Sequence, residues 1–249
     1  MNKVAFQKAM YFVRQFTTAN KSVNPYVICS ELGIEFIGDK PIYNDGYLVC
    51  CDGVKLILVS SKIKNLHRRK FVVSHEIGHF LLHNEQLYCC SNVSDTASAR
   101  ISTSTQEAEA NAFAAELLLP ETDVKQVLPK GRIDFTTIVS IASQFDVSIT
   151  STAIRCVQLS NTEDELLLCY NNGKLAWFST GDSTIRRSMI PQVCPIDPSK
   201  TAGNISVRGA WDSLYKGGVR QEVFCPYEGQ IMILLSGEKC YKGEYYYEF

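Results

Sequence analysis

The sequence predicts an α+β protein: a small sheet with two helices that carry a metal site, then a helical hairpin, then a small β-rich C-terminal domain. Three observations predict it. A β-rich stretch at 46–60 is framed by segments with helical spacing of apolar residues, the segment HEIGH at 75–79 lies inside a strong helical pattern just after it, and beyond about residue 163 the pattern turns to strands. The expected divisions are 1–125 for the metal-bearing domain, 126–160 for the helical hairpin and 161–249 for the β-rich domain.

Phe6, Met10 and Val13 stand at i, i+4 and i+7, one face of a first amphipathic helix. Asn24 as N-cap, Pro25 at the first helical position and Gly33 just past the end mark a second helix, which leads into a strand at 34–37. Within 46–60 two β-rich runs flank Asp52-Gly53, a dipeptide that favours a tight hairpin turn. Residues 65–83 read as a helix, and 105–119 as another that Pro120 closes. The Ser/Thr-rich stretch 91–105 between them reads as a mobile surface loop.

Residues 133–159 read as two helices joined at Asp146-Val147-Ser148, the outline of a helix-turn-helix. The second of these helices carries one basic residue, Arg155, where phosphate and base contacts demand several, so a packed helical hairpin is expected rather than direct nucleic-acid binding. Further on, a hairpin around Asn172-Gly173 and strands at 223–237 and 244–249 form the last domain.

Composition bounds the function. A 45% hydrophobic content over 249 residues is that of a globular chain, and 25 Lys plus Arg against 26 Asp plus Glu supply no electrostatic reason for a nucleic-acid or membrane surface. Lys8, Arg14 and Gln15 interrupt the N-terminal segment, so no signal-peptide core is expected there, and no apolar run is long enough to span a bilayer. The ten cysteines include adjacent pairs but no Cys-x-x-Cys, which suits reduced, mostly buried thiols in a cytoplasmic protein.

A helix turns about 100° and rises about 1.5 Å per residue, so His75 and His79 lie one above the other and both rings can reach one ion. Val73, Ile77, Phe80 and Leu81 occupy another side, which leaves the histidines and Glu76 clustered on their own flank. Zinc suits such a set, because two imidazoles and a carboxylate leave a fourth position for a water acidified by the ion. Glu76 is then the expected general base.

The third ligand lies elsewhere. The long metzincin signature would place Gly and His at 82 and 85, where the chain has Leu82 and Glu85. His83 stands about 6 Å further along the axis than His79, and reads as a helix-end residue on the terminal carbonyls. Glu85 would need an abrupt reversal that no glycine supports. In the second helix Glu107, Asn111, Ala114 and Leu118 share one stripe, flanked by Ala110, which permits close approach. Glu107 is the expected ligand, with Glu109, on the opposite side, as the alternative. Asn111 could accept the free ring N–H of a bound histidine, or be a polar residue satisfied in another way.

FVVSHEIGHFLLH followed by EAEANAFAAELLLP, with its terminal Pro120, resembles the paired signature of the ImmA/IrrE metallopeptidases. The resemblance is strongest over 20–160, and Asp146-Val147-Ser148 is similar to the junction of the helical pair that follows the family's catalytic helices. It implies a gluzincin-like Zn2+ site with His75, His79 and Glu107 as ligands and Glu76 catalytic. It also implies a protein substrate, since members typically cleave a helix-turn-helix repressor. The expected activity is therefore site-specific endopeptidase action on such a repressor, taken up as an extended strand along a sheet edge near 55–60. The alternative is a non-catalytic anti-repressor that binds its partner and uses zinc as a structural staple. With no histidine outside 67–83, oxyanion stabilisation falls to a tyrosine or arginine of the C-terminal domain, which holds Tyr215, Tyr227, Tyr241 and Tyr245 to Tyr247. The basic run Lys62, Lys64, Arg68, Arg69 and Lys70 could steer an acidic partner segment, or be solvated surface. Oligomeric state is not legible.

Overall fold

In a computed structural model of the protein, the residues described are 3–16, 23–83, 104–160, 164–196, 205–207, 209, 211–216 and 218–240. Among these, seven α-helices and two sheets form a mixed α/β architecture, divided into two compact units: 1–120 with 144–148, and 121–143 with 149–249. No helix among them is long and apolar enough to cross a membrane.

The first unit is built as local signals direct. Helix α1 (Lys3–Arg14) buries Met10 and sets Phe6 edge-on to Phe113, ring centroids 6.2 Å apart. Asn24 caps helix α2 (Pro25–Glu31) by accepting the N–H of Tyr26 at 3.1 Å, and Gly33 leaves it with φ +65°. Strands β1 (Glu35–Lys40), β2 (Gly46–Cys51) and β3 (Val54–Ser60) follow, and the β2–β3 hairpin turns on Asp52 (φ 49°) and Gly53 (φ 81°), both left-handed as a type I′ turn requires.

Strand order is β1-β3-β2, with β1 parallel and β2 antiparallel to β3. The segment 55–60, expected as a free edge, is thus the central strand, paired on both sides; the edge bordering the cleft described below is β2. Helix α3 (Leu66–Leu82), capped by Asn65 on the N–H of Arg68, and helix α4 (Ser104–Leu118) pack against each other. Ile57, Val73, Ile77 and Phe113 are completely buried in the core they share. Burial of each such side chain contributes about 1.5–3 kcal/mol. The expected loop at 91–105 lies outside the described residues except for Ser104 and Thr105, which form the first turn of α4 instead.

The second unit begins with helix α5 (Glu121–Val127), unanticipated from sequence, followed by α6 (Phe135–Phe145), all but its last two residues, and α7 (Ile149–Leu159). Helix α7 turns Ala153, Cys156 and Val157 inward and packs on strands β4 (Glu165–Asn171) and β5 (Lys174–Thr180). These belong to a five-stranded antiparallel sheet, β5-β4-β8-β7-β6, completed by β6 (Ile205–Val207), β7 (Val219–Tyr227) and β8 (Gln230–Ser236). Asn172 (φ 48°) and Gly173 (φ 76°) make the expected β4–β5 turn, while the strand expected at 244–249 lies outside the described residues. Leu166, Leu168, Tyr170 and Trp211 centre a core of this unit's own.

Of eight described cysteines, all free thiols, only Cys29, Cys156 and Cys169 are buried, so the expectation of mostly buried thiols holds for a minority. Burial pushes Cys29 and Cys156 up to about 12.

Candidate metal centre

Because α3 is regular through Leu82, the rings of His75, His79 and His83 form one column, with successive centroids 4.6 and 5.2 Å apart. Glycine 78, between two of them, has a structural reason. A Cβ there would meet the fully buried ring of Phe113 at 3.0–3.2 Å, so the glycine lets α4 lie close against α3. Ala110, also fully buried, has the small side chain that close approach needs.

That approach brings Glu107 to the histidine pair. Nε2 of His75 is 3.0 Å from Nε2 of His79, and the two Glu107 oxygens lie 3.3 Å from those nitrogens, Oε2 on His75 and Oε1 on His79. The side chains of His75 and His79 are 15% and 5% exposed against 43% for Glu107, so the cluster is buried on the α3 side and open on the other. Nδ1 of His75 donates to Oδ1 of Asn111 at 3.0 Å, which leaves its Nε2 lone pair turned into the cluster. Burial lowers the pKa of His75, opposed by the Glu107 carboxylate.

The donor set fits a divalent cation. Ligand atoms on a tetrahedral zinc at about 2.0–2.1 Å stand about 3.3 Å from one another, close to the three separations here, and electron-rich atoms gathered this tightly repel unless a cation or a shared proton lies among them. His75, His79 and Glu107 are accordingly a group that could hold a metal. Glu109, the alternative ligand, is outside it: Oε2 of Glu109 lies 3.0 Å from Nε2 of His83. His83 in turn directs its ring to His79 and Glu109; the main-chain N–H, not the ring, bonds the His79 carbonyl. The expected ring contact with terminal carbonyls is replaced because both of those partners lie within reach of its two nitrogens.

A cleft of about 380 Å³ opens over the cluster, lined by His75, Glu76, His79, Glu107 and Asn111 and, across from them, by residues 44–48 with Arg68, Phe71 and Val72. Glu76 is buried, and Gly46 abuts it: a Cβ on Gly46 would lie 2.5 Å from Cγ1 of Val72 and 3.0 Å from Oε1 of Glu76. Tyr47 is a cleft residue that sequence reasoning did not single out, and Arg68, read there only as part of the basic run, also lines the cleft. Asn44-Asp45-Gly46 has turn character in the sequence, but nothing local states which helix the following strand will face. Tyr215, offered for oxyanion stabilisation, is instead a core residue of the second unit, its hydroxyl donated to the Asp164 carbonyl at 3.1 Å. Tyr241 and 245–247 lie outside the described residues.

Three of the five cations of the basic run are paired with acids. Arg68 is paired with Asp45 at 2.5 Å, Arg69 with Asp39 at 3.1 Å, Lys70 with Asp146, and Lys62 lies over the Tyr43 ring. Those three pairs reduce the long-range field of the run, to which Lys62 and Lys64 still contribute.

No curated protein matches the chain. Among solved structures, a Mycobacterium tuberculosis transcriptional regulator shares the fold with TM-score 0.55 at 12% sequence identity, over 94% of this chain and 76% of that one. The IrrE N-terminal-like domain family, Peptidase_M78, matches residues 29–157, a span that takes in α3, α4 and every residue of the cluster. With that match over more than half its length, the chain belongs to the ImmA/IrrE peptidase family.

Proposed function

We propose that the protein is a zinc-dependent endopeptidase of gluzincin type, with His75, His79 and Glu107 holding the ion and Glu76 as general base. The observation that carries this reading is the convergence of those three donors in one cleft with Glu76. Bound zinc would polarise a substrate carbonyl and acidify a water in its open position. Glu76, buried beside Gly46, would take the proton of the attacking water and pass it to the departing amine. Asn111 would hold the His75 ring by accepting its Nδ1–H, so that Nε2 keeps its direction.

The edge of β2 is the proposed seat of the substrate. Its other side is paired with β3, and residues 44–48 line the cleft, so an extended segment could add there through main-chain hydrogen bonds. Such contacts are general for any sequence, which leaves selectivity to surfaces outside the cleft. By family resemblance, the substrate we propose is a helix-turn-helix transcriptional repressor, whose cleavage relieves repression.

Glu76→Gln tests the reading. The variant should retain one zinc per chain while cleavage of the partner repressor falls by about 10²–10⁴-fold, the range of a general base. Repression relieved equally by Glu76→Gln in a reporter strain would overturn catalysis in favour of a binding protein with structural zinc.

A further inference from the structure

The proposed chemistry gives His83 no task, yet its side chain is only 6% exposed and both ring nitrogens are engaged. Nδ1 faces Nδ1 of His79 at 3.1 Å, and Nε2 faces Oε2 of Glu109 at 3.0 Å. The proton positions along this row follow from its outer end. A carboxylate only accepts, so Nε2 of His83 carries a proton; in a neutral ring Nδ1 of His83 is then an acceptor. Nδ1 of His79 must donate to it. The lone pair of His79 is thereby placed on Nε2, the atom 3.0 Å from His75 Nε2 and 3.3 Å from Glu107. Asn111 imposes the same tautomer on His75 from the other side of the cluster. One assignment of protons satisfies the Asn111, His83 and Glu109 contacts together and turns both Nε2 lone pairs to the same point.

We propose that His83 and Glu109 form a positioning relay behind His79, setting its tautomer and ring plane so that Nε2 is presented to a divalent cation, with the Glu109 charge strengthening that donor through His83. The relay rests on the zinc reading of the cluster. Neither residue touches the reacting atoms. His83 is placed for this role by the i+4 step from His79, and Glu109 by the close packing of α4 on α3.

The test is zinc competition against a chelating indicator, on the full chain, for His83→Phe, Glu109→Gln and the double variant, with Glu121→Gln as a surface control. Removal of an outer partner of a metal-bound histidine costs about 10–100-fold in affinity, so each single variant should bind zinc that much more weakly at unchanged stoichiometry, and Glu121→Gln should not. The double variant should be no weaker than His83→Phe alone, because Glu109 acts through His83. In long-range proton–nitrogen spectra of the zinc-loaded chain, the Nδ1–H of His79 should be protected from exchange in the wild type and lose protection in His83→Phe. Circular dichroism of the zinc-free variants reports folding; should His83→Phe fail to fold, Glu109→Gln, which keeps the side-chain shape, decides alone. Folded variants that bind zinc within twofold of wild type, or single effects that add in the double variant, would overturn the relay while leaving the zinc site standing. A wild-type chain that takes up no zinc would overturn both.

Discussion

His75 carries the clearest consequence for pH. Its burial depresses the folded-state pKa below the unfolded value of about 6.5, with Glu107 opposing. A depressed imidazole contributes stability that is fully present above about 6.5 and is lost as the pH falls through the folded value, because the unfolded chain takes up the proton first. Protons and zinc also compete for the same Nε2 lone pair. Zinc affinity measured from about pH 8 to about pH 5 should therefore hold on the alkaline side and decline through the acid window, along with the unfolding midpoint of the zinc-free chain. Affinity that is flat across this range would remove His75 from the ion. That His75, His79 and Glu107 converge was legible from spacing, since an i, i+4 step on a helix leaves a side chain little freedom of direction. The link from Glu109 to His83 was not: it spans 26 positions and depends on how two helices rotate against each other.

At the scale of elements, α3 and α4 hold the cluster only as well as they pack, and Gly78 governs that packing. Alanine there would gain about 1 kcal/mol of helix propensity. Its Cβ, however, would lie 3.0 Å from the Phe113 ring, which is wholly buried, so the ring or the helix must shift within the packed core. Overpacking costs about 1–3 kcal/mol, so the clash outweighs the propensity. Gly78→Ala should lower the urea midpoint and weaken zinc binding together, as Glu107 is carried away from the imidazoles. Gly131→Ala, where a Cβ meets nothing within 4 Å, should do neither. Unchanged zinc affinity in a destabilised Gly78→Ala chain would separate the helix contact from the site. Element boundaries were readable because caps and turns are local: Asn24, Asn65, Asp52-Gly53 and Asn172-Gly173 each act within a few residues. Strand order was not. The alternation in 54–60 is the same for an edge as for a strand paired on both sides, and the parallel partner β1 lies across an intervening strand.

For the whole molecule, each unit has its own hydrophobic core, and the proposed zinc ligands belong to only one of them. A ligand that binds the native form stabilises the cooperative unit containing its site, by about 4 kcal/mol at a thousandfold excess over its dissociation constant. The chain offers an intrinsic reporter for the other unit. Both tryptophans, Trp177 and Trp211, lie in the second unit, and Trp211 is buried with its indole N–H donated to Oε1 of Gln221 at 2.7 Å. Tryptophan fluorescence therefore follows the second core, whereas the long helices α3 and α4 make the far-ultraviolet signal sensitive to the first. Heated with and without excess zinc, the chain should show a far-ultraviolet transition that moves upward with the metal and a fluorescence midpoint that stays in place. If zinc moved both midpoints equally, the two cores would melt as one cooperative body, and the His75, His79 and Glu107 cluster would stabilise residues of both units.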